Sequence, residues 1–357
     1  MVLVVATEQN GTGNPATPRA GGTAGSGVGC AVVLGPGGPV GTAWLAGLAA
    51  GLRQAGVDLG AADLIVGTSA GAIVGAILAV GGDLDRLATL AGAGPDPGTA
   101  AGPGLGGGSG SGGGSGSGGG SGSGDGSGSG DGSGSGGGSD GVRTDPGTLA
   151  EVFATLGDPA LDRAEALRRV GLLAVSASTG SQQAAIARMQ FLIAAVEWPD
   201  RPLLIPSVDA ETGQAMIWDS CGAASLPEAV AASTAFPATA PPITIDGRHY
   251  IDGALRAGAN TDLAGDAAVV IIVEPSAGAF GQSGTAGGAG ALVRLFPDAA
   301  AIEAFGPDIT SLAAWAPAYQ AGLRQAPEAA GRIAAVVTLP RPTEPLTVSG
   351  IRLAGDD

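Results

Sequence analysis

Apolar residues in this chain fall into short runs bounded by glycine and proline. Residues 28–34 (Val-Gly-Cys-Ala-Val-Val-Leu) have the length and valine content of a buried strand. A Gly/Pro loop follows over 35–41. Trp44, Leu45, Leu48 and Leu52 then recur at helical spacing within 42–54. Residues 63–66 predict a second buried strand, 67–71 a sharp turn, and 72–80 an apolar helix, with another helix beginning in 83–90. Strand, loop, helix, strand, turn and helix make a βαβα pattern, which calls for a parallel sheet.

Further along, helical patterns occupy 146–156 and 161–170, and 171–176 reads as a strand. Residues 182–196 predict a helix ended by Pro199. A hairpin follows from 202–208 to 214–218, turned at 209–213. Residues 226–233 predict a helix. The strands 243–245 and 248–251 flank Asp246-Gly247, a two-residue hairpin signal. A strand at 267–273, a Gly/Ser-rich loop at 275–292, a helical tail at 307–329 and a last strand at 334–339 complete the reading. The expected fold is α/β, a three-layer α/β/α arrangement around a mainly parallel central sheet.

Two segments stand outside this pattern. Residues 1–27 are rich in Gly, Thr, Asn and Pro and read as a disordered leader. Residues 93–141 are almost wholly Gly and Ser, with Asp125, Asp131 and Asp140, and read as a flexible insert within one domain spanning 28–357. The apolar start is too short for a signal peptide core, and no apolar run reaches transmembrane length.

Composition narrows the chemistry. A net charge of −16 argues against nucleic acid as a partner and against electrostatic attraction to anionic membranes. The chain has a single histidine, His249, and two cysteines, Cys30 and Cys221, which read as small buried hydrophobes. No metal-ligand cluster is present in the sequence, so neither a metal nor another cofactor is expected. Nothing suggests a disulfide framework, which fits a reducing, cytoplasmic setting.

Gly67-Thr68-Ser69-Ala70-Gly71 fits the G-x-S-x-G elbow of serine hydrolases. The pattern alone is weak in a chain with 68 glycines, and Gly137 to Gly141 matches it as well. Context separates the two: Ser69 has a strand before it and a helix after it, and Ser139 has neither. Ser69 is thus a candidate nucleophile; the competing reading is a helix N-cap. The loop at 35–41 could cradle a phosphate, form a tight packing turn, or offer the Gly37 and Gly38 amides as an oxyanion hole, and the last fits best. A Ser-His-Asp triad would need His249, three residues before Asp252 on one strand. Strand alternation turns those two side chains to opposite faces. A Ser69–Asp252 dyad is the economical alternative, set against Asp252 as a simple turn residue before Gly253.

Taken together, three segments resemble bacterial patatin-like phospholipases: residues 33–41 (Val-Leu-Gly-Pro-Gly-Gly-Pro-Val-Gly), 64–75 (Leu-Ile-Val-Gly-Thr-Ser-Ala-Gly-Ala-Ile-Val-Gly) and 250–256 (Tyr-Ile-Asp-Gly-Ala-Leu-Arg). The likeness extends through 230–237, 241–245 and 260–263. The resemblance implies a patatin-like α/β/α fold, a Ser69–Asp252 dyad, oxyanion amides at Gly37 and Gly38, and an acyl lipid or phospholipid substrate met by peripheral membrane contact. Two positions depart from the family pattern. Val40 stands where a basic residue is usual, and Asp252-Gly253-Ala254 replaces Asp-Gly-Gly. The expected function is a serine acyl hydrolase of phospholipase A type. The alternative is a catalytically silent lipid-binding or scaffold protein that keeps the fold.

Overall fold

The structure is a computed structural model that describes residues 28–88, 146–177, 180–276 and 289–336. The expected leader at 1–27, the Gly/Ser insert at 93–141 and most of the loop at 275–292 lie outside the described residues.

The frame is an eight-stranded sheet. β1 (Cys30–Leu34), β2 (Leu64–Gly67), β3 (Leu203–Asp209), β7 (Val269–Val273) and β8 (Ala291–Leu295) run parallel, with neighbours in the order β3-β2-β1-β7-β8. β4 (Ala215–Trp218) and β6 (Arg248–Asp252) pair antiparallel with β3, and β5 (Ile243–Ile245) pairs antiparallel with β6. The continuous Val/Ile character of β1 and β7 follows from burial on both faces. Val32, Leu34, Ile271 and Val273 join the main core, while Ala31, Val33, Val270 and Ile272 fill a smaller cluster on the other face.

Helices cover both faces, giving the three-layer α/β/α order expected from the sequence. α1 (Gly38–Gln54), α2 (Ala70–Ala79), α5 (Gln182–Ile193), α6 (Leu226–Ser233), α8 (Ala299–Phe305) and α9 (Trp315–Val336) pack around the main core. α4 (Arg163–Ser176), joined by α3 (Pro146–Leu156) and the short α7 (Ala254–Ala257), backs β3 and β6 on the other side. Few aromatics are available to fill space, so backbones come close instead. A Cβ on Gly47 of α1 would lie 2.0 Å from the Tyr319 carbonyl oxygen of α9. Such contact leaves no room for any side chain at that position.

Several local expectations need correction. Residues 171–176 are not a strand; they continue α4. Ala166, Leu167, Val170, Gly171 and Ala174 form one buried helical stripe, and a Cβ on Gly171 would meet the Ala210 carbonyl oxygen at 2.1 Å. A short apolar run does not by itself separate strand from buried helix. The loop at 35–41 is shorter than expected, because α1 already starts at Gly38 with Pro39 in its first turn. Residues 84–88 form only a 3-10 turn. The final strand expected at 334–339 is overturned through Val336, which ends α9; the rest lies outside the described residues. β8 and α8 fall in and just after the segment read as a loop. Cys221 is exposed rather than buried, while Cys30 is half-buried and packs against the main core.

Candidate active site

The ends of β1 and β2 lie side by side, with Leu34 opposite Gly67. The loops that leave them are laced together. Thr68 N–H donates to the Leu34 carbonyl at 2.9 Å, and Gly71 N–H to the Gly35 carbonyl at 3.1 Å. A Cβ on Gly67 would lie 2.5 Å from the Gly71 carbonyl oxygen, and one on Gly71 would lie 2.0 Å from that of Leu34. These contacts explain both glycines of the Gly67 to Gly71 turn.

Between them Ser69 sits at φ 54° and ψ −114°, a left-handed conformation that L-residues avoid. Holding a non-glycine residue there costs about 1–3 kcal/mol, which the surrounding packing offsets. The Ser69 side chain does not cap α2. Its hydroxyl instead donates to Asp252 Oδ2 at 2.8 Å. The N-cap reading of Ser69 is therefore set aside on geometry.

Asp252 ends β6 and is buried, facing Ser207 of β3 in the ladder. Its other oxygen, Oδ1, accepts from Ala254 N–H at 2.8 Å, so the same carboxylate also forms the turn before α7. The two readings of Asp252 are compatible, one for each oxygen. Burial pushes its pKa up to about 7, against the lowering effect of the Ala254 N–H and the Ser69 hydroxyl.

The Gly37 and Gly38 amides begin α1 beside the Ser69 elbow. Neither N–H has a hydrogen-bond acceptor among the described residues, whereas Val40 N–H is taken by the Ile309 carbonyl at 3.2 Å and Gly41 N–H by the Gly37 carbonyl. Free donors at a helix N-terminus suit a developing negative charge. Gly38 adopts φ 60°, and Gly37 is pressed on Pro275 so closely that a Cβ would lie 2.6 Å from its ring. Val40 is fully buried and belongs to the main core.

His249 lies on the other face of β6, its ring nitrogen Nδ1 paired with the Glu211 carboxylate. A surface groove lined by Gln182, Pro241, Thr244 and His249 includes neither Ser69 nor Asp252. No group of His, Cys, Asp or Glu side chains among the described residues is arranged to hold a metal ion.

Other polar residues at the site are not singled out by the sequence, although Ser233 and Asn260 fall within the segments 230–237 and 260–263 that carry the resemblance. Ser233, the last residue of α6, accepts the Ser69 N–H on its hydroxyl at 3.1 Å. Thr68 and Asn260, both fully buried, are joined by a 3.0 Å hydrogen bond. Ser69 and Ser233 are separated by 164 positions, and Thr68 and Asn260 by 192, so no motif spacing could pair them.

Comparison with known proteins agrees with the resemblance in part. The family model described as Patatin-like phospholipase matches residues 141–264. That segment holds Ser233, Asp252 and Asn260; Ser69 and the glycine loop precede it. No curated protein matches the chain. Nine chains of solved structures do. Among them is VipD from Legionella pneumophila, 12% identical, with a TM-score of 0.32 over 70% of this chain and 50% of that one. The chain therefore spans half the length of that structure.

Proposed function

We propose that the chain is a serine-dependent acyl hydrolase of lipid esters, of phospholipase A type, with Ser69 as nucleophile and Asp252 as its base. The carrying observation is the 2.8 Å hydrogen bond from Ser69 Oγ to Asp252 Oδ2, made on a strained strand-to-helix elbow. The phospholipase family match over 141–264 supports a lipid ester as substrate.

In acylation, ionised Asp252 accepts the Ser69 proton as Oγ attacks the ester carbonyl carbon. Charge developing on the carbonyl oxygen is received by the Gly37 and Gly38 N–H groups and by the N-terminus of α2. Collapse of the tetrahedral species expels the alcohol, which takes the proton from Asp252 and leaves acyl-Ser69. Water then gives its proton to Asp252, attacks the acyl carbon, and releases the free acid as the proton returns to Ser69 Oγ. A base with a pKa near 7 suits both directions of transfer.

With a net charge of −16, peripheral contact with a lipid surface would rest on apolar groups. No described helix is long and apolar enough to cross a membrane.

The test is fluorophosphonate labelling located by peptide mass spectrometry, alongside turnover of p-nitrophenyl esters and phospholipid micelles. Modification at Ser69 and ester turnover are expected. A folded protein left unmodified at Ser69 would favour a silent lipid-binding or scaffold role.

A further inference from the structure

Resting on the dyad reading, we propose that Asn260 is a positioning residue that holds Ser69 and Asp252 in register through Thr68 and Gly253.

The need for such a residue follows from the sheet. Ser69 follows β2 and Asp252 ends β6, and β3 lies between them. Two strand spacings amount to about 9.5 Å, so no ladder bond joins the two ends. β2 and β3 pair only at Ile65–Leu203 and Val66–Leu204, short of the elbow. The relative position of the two functional ends must then be set by side chains that cross the gap.

Asn260 makes that crossing. Its amide nitrogen lies 3.0 Å from Thr68 Oγ1, from the Gly253 carbonyl and from the Gly258 carbonyl. Thr68 immediately precedes Ser69, and Gly253 immediately follows Asp252. Asn260 Oδ1 accepts from Arg256 Nη1 at 2.8 Å, and Arg256 is held in turn by Asp262. That contact fixes which end of the amide faces the elbow, because a guanidinium can only donate. The residue is fully buried and sits at φ 57°, ψ 43°, a region that asparagine tolerates better than most side chains. Aspartate there would offer no donor to two carbonyls. Alanine would remove all three bonds, leaving the Gly253 carbonyl only its bond from Arg256 N–H at 3.1 Å and Thr68 Oγ1 only its 3.4 Å bond to the Ala259 carbonyl. From the opposite face of the sheet, Ser233 links the same pair of segments: its hydroxyl accepts from Ser69 N–H and its carbonyl from Gly253 N–H. Asn260 reaches the neighbours of both reacting residues through a single amide, and it shares no hydrogen bond with either reacting side chain.

The link can be cut without deleting Asn260. Thr68→Val keeps shape and removes the hydroxyl, while Thr68→Ser keeps it. Thr68→Val should lower kcat for p-nitrophenyl butyrate at least about tenfold with KM within about twofold, since small misplacement of reacting groups costs rate. Thr68→Ser should restore kcat to within about threefold of the parent, and Asn260→Ala should behave as Thr68→Val or worse. A loosened Ser69–Asp252 bond favours the ionised carboxylate less. Carbon-13 NMR of the Asp252 carboxyl in Thr68→Val should therefore titrate higher by about half a pH unit or more. That readout needs no turnover, so an inactive parent would count against the hydrolase reading and leave this one to the titration. If Asn260→Ala does not fold, the threonine pair decides. A folded Thr68→Val with parental kcat and carboxyl titration overturns the proposal. So does a Thr68→Ser variant as impaired as Thr68→Val.

Discussion

Ser69 and Asp252 are 183 positions apart in the chain and share one hydrogen bond of 2.8 Å across the end of an intervening strand. Each is held by its own local device: a left-handed elbow for the serine, an N–H from Ala254 for the carboxylate. The contact is buried, and burial gives the carboxylate its affinity for a proton.

Ser69 should separate activity from stability. Ser69→Ala is expected to abolish ester turnover and leave the fold intact, because alanine meets the same backbone strain that serine does. Ser69→Gly should be equally inactive but more stable by about 1 kcal/mol, since glycine adopts positive φ freely. Thermal melting would register that gain as a rise of about 2–4 °C. Turnover by Ser69→Ala within about tenfold of the parent would sink the assignment of Ser69.

Asp252 should govern the pH dependence. Only its ionised form accepts the Ser69 proton, so kcat/KM should fall on the acid side through a limb near pH 7. Asp252→Asn should cost at least about a hundredfold in kcat.

The same carboxylate has an opposite effect on stability. Its folded pKa of about 7 lies above the ordinary 3.8, so between those values the folded chain binds a proton that the unfolded chain has lost. Stability from this group is therefore complete below pH 3.8, falls as pH rises through the window, and stays low above about 7. Asp252→Asn is expected to melt higher than the parent above pH 7, with the difference shrinking as pH falls. A melting point that drops at every pH would contradict the burial penalty.

His249 should be dispensable for turnover. Its ring pairs with Glu211 on the far face of β6. His249→Gln should keep kcat within about threefold and leave the acid limb where it was, since general-base loss would cost far more. A shifted limb in this variant would bring the imidazole back into the mechanism.

Gly37 tests the oxyanion loop. A methyl there would collide with Pro275 and the Gly41 backbone, displacing the Gly37 and Gly38 amides. Gly37→Ala is expected to lower kcat by about 10²–10³, the usual cost of an oxyanion donor, with a modest loss of melting temperature. Unchanged turnover in a folded variant would move the oxyanion hole elsewhere.

Much of the frame could be read from sequence because it is encoded locally. The valine-rich runs at β1 and β7, the Asp246-Gly247 turn and the glycines flanking Ser69 each carry their reason within a few residues. Asp246 and Gly247 adopt φ 48° and 75°, as a two-residue hairpin turn requires. Strand alternation turned His249 away from Asp252 for the same reason: period two is a property of the strand itself. Local pattern failed where neighbours decide. Residues 171–176 are apolar enough for a strand, yet Gly171 lies against Ala210 and the segment stays helical. No local pattern could supply the meeting of Ser69 with Asp252, Ser233 with the Ser69 amide, or Asn260 with Thr68. Those contacts depend on β3 lying between β2 and β6 and on α6 and the 260–264 turn closing from opposite faces. Only the folded chain brings groups so distant in sequence within hydrogen-bond reach.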